Sequence, residues 1–144
     1  MFSDCNKIIE IDCSNFKCSL ISSCSSMFEG CSLLKNINLG LLNFSLSSNF
    51  EYMFSGCKNL NELDVSHFNT KNSESFRSMF EGCCYLKKID ISKFNSSKCC
   101  SIERMFMGCK NIIEIDMLNW DLTNLKDSGF LFRRKVIDDL FGGI

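Results

Sequence analysis

Apolar and polar residues recur along this chain with a single period. Met-Phe stands at Met1-Phe2, Met27-Phe28, Met53-Phe54, Met79-Phe80 and Met105-Phe106, a degenerate sixth copy starts at Leu131-Phe132, and every spacing is 26 residues. A period in the twenties belongs to chains whose units bury an apolar face only by stacking on their neighbours. Aligning the copies exposes core columns. The eighth position holds Ile8, Leu34, Leu60, Leu86 and Ile112; the eleventh Ile11, Ile37, Leu63, Ile89 and Ile115. The thirteenth holds Cys13, Leu39, Val65, Ile91 and Met117, and the sixteenth Phe16, Leu42, Phe68, Phe94 and Trp120. Apolar residues at positions eleven and thirteen, between polar ones at ten, twelve and fourteen, alternate as a strand does. Five such strands predict a parallel sheet with a spacing of about 4.8 Å.

The second predicted element crosses the junction between copies. Cys24, Met27, Phe28 and Cys31 repeat as Phe50, Met53, Phe54 and Cys57, as Phe76, Met79, Phe80 and Cys83, and as Ile102, Met105, Phe106 and Cys109. This is the i, i+3, i+4, i+7 stripe of a short amphipathic helix. Ser48 with Glu51 has the spacing of a capping box. Gly30, Gly56, Gly82 and Gly108 stand where a left-handed residue ends a helix, with Asp4 in the first copy. Asn43, Asn69, Asn95 and Asp121 suit turns in which a side chain binds its own backbone. The expected fold class is thus an α/β solenoid, with stacked parallel strands on the inner face and short helices on the outer face. Residues 1–130 form the solenoid, and residues 131–144 form a degenerate sixth copy or a C-terminal cap.

The chain has 144 residues, 45% of them apolar, and a net charge of −1. That is room for one ordered domain, and the charge predicts no general attraction to nucleic acid or to an anionic membrane. No apolar run has the length of a membrane helix, so membrane insertion is not expected. The first residues lack the basic start and apolar core of a secretion signal. Met1 is also the first residue of a copy, which points to a piece of a longer protein. An uncapped first copy exposing Ile8, Ile11 and Phe16 invites end-to-end association.

Five of the eleven cysteines form one column, Cys5, Cys31, Cys57, Cys83 and Cys109, expected as a reduced, packed ladder. Cys13, Cys18, Cys24, Cys84, Cys99 and Cys100 make up the rest. With no C-x-x-C pair and His67 the only histidine, no metal site and no cofactor are expected. A metal- or redox-responsive cysteine protein is the third-ranked reading. An odd cysteine total without a signal points to a reducing, intracellular compartment. The sequons at Asn43 and Asn95 would matter only in an exported chain.

Positions ten and twelve point out of the strands. They carry Glu10 and Asp12, Asn36 and Asn38, Glu62 and Asp64, Lys88 and Asp90, Glu114 and Asp116. Acids gathered on one face repel at strand spacing. Either the stripe recognises a basic partner, or each aspartate binds backbone at a corner and is otherwise solvated. The fifteenth column, Asn15, Leu41, His67, Lys93 and Asn119, varies most beside that face, which adds His67 to the candidate residues. His67 has no catalytic partner in the sequence, the aromatic column reads as core, and Arg133-Arg134-Lys135 is a short basic run in a covering tail. No catalytic residue is assigned.

The string from Met53 to Thr70, Met-Phe-x-Gly-Cys-x-x-Leu-x-x-Leu-Asp-Val-Ser-x-Phe-Asn-Thr, resembles the BspA-like leucine-rich repeat of surface proteins. The resemblance spans about residues 1–130 and implies a leucine-rich-repeat fold, with a cell-surface role in adhesion or protein binding. The expected function is a non-enzymatic interaction module that binds a protein partner through its acidic strand face. The alternative is a passive structural spacer within a longer repeat protein.

Overall fold

The computed structural model describes residues 2–16, 20–40 and 42–129. Met1, Cys18, Leu41, the basic run at 133–135 and the expected sixth copy or cap over 131–144 lie outside the described residues. Within them, successive copies lie side by side and in register. The amide of Phe2 donates to the carbonyl of Met27, Phe28 to Met53, Phe54 to Met79 and Phe80 to Met105, at 2.8–3.0 Å. Phe2, Phe28, Phe54, Phe80 and Phe106 form a continuous stack, with ring centroids 5.3–5.9 Å apart and planes within 13° of parallel. Burying such a ring removes its apolar surface from water for roughly 2–3 kcal/mol.

No helix exists among the described residues, which overturns the expected outer face. The Met-Phe segment is a chain of tight turns instead. Amides alternate in their partners along it. Met27, Glu29 and Cys31 donate to carbonyls three residues back, whereas Ser26, Phe28 and Gly30 donate to Glu51, Met53 and Ser55 of the next copy. A helix would need every amide to bond within its own segment. Two left-handed residues four apart also forbid one: Ser26 and Gly30, Tyr52 and Gly56, Ser78 and Gly82, Arg104 and Gly108 all have positive φ. Consecutive turns satisfy the i, i+3, i+4, i+7 stripe equally well, because each turn returns the chain to the core after three or four residues. The expected capping box is absent too: Asn49 Oδ1 accepts the Glu51 amide, and Glu51 accepts a hydrogen bond from the Ser75 hydroxyl.

The five-stranded sheet is likewise corrected. The described residues hold four three-residue strands, β1 (Glu10–Asp12), β2 (Asn36–Asn38), β3 (Lys88–Asp90) and β4 (Glu114–Asp116). They form two parallel pairs, β1 with β2 and β3 with β4. In the third copy, residues 61–64 have no backbone hydrogen bond to the copy on either side. A second ladder of single bridges runs Asn49, Ser75, Ser101, Asp127 on the return path.

Side chains close the corners. Asp12, Asn38, Asp64, Asp90 and Asp116 each accept the amide two residues on, at 2.9–3.0 Å. Asn43, Asn69, Asn95 and Asp121 do the same one corner later. The core columns are buried in the middle copies apart from the half-buried Ile37, while Ile8 and Ile11 of the first copy are also only half-buried and Phe16 is 43% exposed. Four of the five cysteines of the ladder donate their thiols to a phenylalanine carbonyl of the copy before: Cys31 to Phe2, Cys57 to Phe28, Cys83 to Phe54 and Cys109 to Phe80. Burial pushes the thiols of Cys57 and Cys109 up to about 12. Among the described residues, the five cysteines of the ladder form no disulfide.

Candidate functional site

The acids of the strand face stand at exposed positions because the strand pleat alternates, and Ile11, Ile37, Leu63, Ile89 and Ile115 between them turn inward. Over the last three copies this face is hollowed into a groove of about 900 Å³. Its acids are Glu62, Asp64, Asp90, Glu114 and Asp116, and its lysines Lys87 and Lys88. Glu10, Asp12 and His67 do not line it. Glu10 accepts a hydrogen bond from Asn36 at 2.9 Å, and Asp12 sits at the first corner. His67 is exposed and lies edge-on to Phe68, with ring centroids 5.2 Å apart.

Charge in the groove is unbalanced. Lys88 pairs with Glu114 at 2.7 Å, and this pairing raises the lysine above its ordinary value. Three of the corner aspartates, Asp12, Asp64 and Asp90, are held ionised. Hydrogen bonds from the hydroxyl and amide of Ser66 lower Asp64, and those from Ser92 lower Asp90. In Asp12 the amide of Ser14 is the larger cause. The aspartates fix the corners with one oxygen while their side chains stay at the exposed face.

The sequence stripe omitted one wall of the groove. Tyr85 and Ile113, 55% and 67% exposed, line it at the end of the strands opposite the aspartates. Their signal in the residues was weak: Lys7, Leu33, Asn59 and Asn111 share the column of Tyr85, and Ile9, Lys35, Asn61 and Lys87 that of Ile113. Both columns mix polar and large apolar residues, so residue type alone does not single out the wall. Among the described residues, no group of three His, Cys, Asp or Glu side chains is placed to hold a metal, and no helix is long and apolar enough to cross a membrane.

The family described as "Mycoplasma protein of unknown function, DUF285" matches residues 1–112 and 86–137. No curated protein and no solved structure matches the chain. The chain belongs to the DUF285 family. This corrects the resemblance to BspA-like leucine-rich repeats: the string that carried it folds into left-handed turns and corners, not into a strand-and-helix unit. The leucine-rich-repeat fold and the surface and adhesion roles drawn from that resemblance lose their support with it.

Proposed function

We propose, from membership of that family as a premise, that the chain is a non-enzymatic interaction module whose strand-face groove binds a basic protein partner. One observation carries this reading. The groove gathers five carboxylates against two lysines, one of them already paired, on a chain of net charge −1. Such local excess steers and orients a cationic partner. The test is titration of fluorescent polylysine at low salt against the wild type and against Asp64→Asn/Asp90→Asn/Asp116→Asn. Asparagine keeps the corner, as Asn38 already does with Gly40. Loss of about tenfold or more in affinity is expected in the variant, from three exposed pairs each contributing a few tenths to 1 kcal/mol. Equal affinities would leave the passive-spacer reading, which the structural duty of every aspartate at a corner favours.

A further inference from the structure

We infer that the groove takes an extended segment of a partner protein in which basic and apolar residues alternate, a proposal that rests on the binding reading above. The groove has two chemically different walls. Asp90 and Asp116 end β3 and β4 and Asp64 holds the same corner in the third copy, while Tyr85 and Ile113 precede β3 and β4. A ligand lying along the stack, across the strands, therefore meets carboxylates on one side and exposed apolar surface on the other.

Spacing sets the period of that ligand. Strand β3 lies about 4.8 Å from β4, and turn-segment hydrogen bonds hold the third copy in register with the fourth, so three aspartates in three successive copies span roughly 10 Å. In an extended chain, side chains on one side recur about every 6.8 Å. Two basic residues separated by one other thus cover the aspartate row. The intervening residue projects to the opposite side, toward Tyr85 and Ile113, where an aliphatic side chain removes apolar surface from water. The surplus charge excludes an acidic segment, and a purely basic one leaves the Tyr85 and Ile113 wall uncovered.

The repeat itself supplies variants that fit. Asn59 and Asn111 occupy the column of Tyr85 and donate to carbonyls of the preceding copy, and Asn61 occupies that of Ile113. Tyr85→Asn/Ile113→Asn therefore removes the apolar wall with side chains the fold already accommodates. Two labelled pentapeptides of equal composition, Arg-Leu-Arg-Leu-Arg and Arg-Arg-Arg-Leu-Leu, are titrated by fluorescence anisotropy. The wild type is expected to bind the alternating peptide about tenfold more tightly than the blocked one. The Tyr85→Asn/Ile113→Asn variant loses that preference while its affinity for polylysine is unchanged. Equal affinity of the two peptides for the wild type, or a preference that survives in the variant, overturns the proposal. If that happens while polylysine binding still depends on the three aspartates, alternation alone fails. If polylysine binding is also indifferent to them, the binding reading fails with it.

Discussion

Single residues carry two kinds of conformational work in this chain. Asparagine and aspartate close corners by accepting the amide two residues on, and left-handed residues reverse the backbone between copies. Gly40 shows how tight a corner can be: its φ is +57°, and a Cβ there would stand 2.8 Å from the carbonyl oxygen of Cys13. The corner aspartates also link stability to pH. Hydrogen bonding lowers Asp12, Asp64 and Asp90 below the ordinary 3.8, so the folded chain holds them ionised more strongly than the unfolded chain does. Their contribution is complete above the ordinary value and is lost as pH falls through the lowered ones. Urea midpoints should therefore fall on acidification below about pH 4, and fall less in Asp12→Asn/Asp64→Asn/Asp90→Asn. Identical acid losses in the two proteins would dismiss the linkage.

At the scale of the element, stacking of like on like replaces helix and wide sheet. The phenylalanine ladder is the clearest case. Phe54 is fully buried between Phe28 and Phe80, whereas Phe2 is half-buried and stacks on Phe28 alone among these rings. Phe54→Ala should cost about 3–5 kcal/mol in urea unfolding, and Phe2→Ala less than about half of that. Equal losses would mean that the rings do not act as a ladder. The period, the core columns and the asparagine corners were legible in the residues, because burial and side-chain acceptors leave a direct imprint on residue type. The turns were not. Apolar spacing of three and four is common to a helix and to consecutive turns, and neither Tyr52 nor Arg104 advertises a positive φ. The acids of the groove were legible as a stripe. The interrupted ladder at 61–64 was not, since Asn-Glu-Leu-Asp keeps the same alternation as its neighbours.

On the scale of the molecule, each copy completes its hydrogen bonding with the next. In the turn segments around Phe28, Phe54 and Phe80, every second amide has no local partner and reaches across to the following copy. Buried amides rarely go unpaired, so a copy's backbone depends on its neighbour as much as its apolar face does. Regular corners then project one acidic side chain per copy in four of the five, and the groove arises where apolar residues join that row. Through-hydrogen-bond scalar couplings in isotope-labelled protein test this interlocking most directly. The amide nitrogens of Phe28, Phe54 and Phe80 should couple to the carbonyl carbons of Met53, Met79 and Met105. Coupling of Phe54 instead to the carbonyl of Phe50, its partner in a helix, would contradict the account.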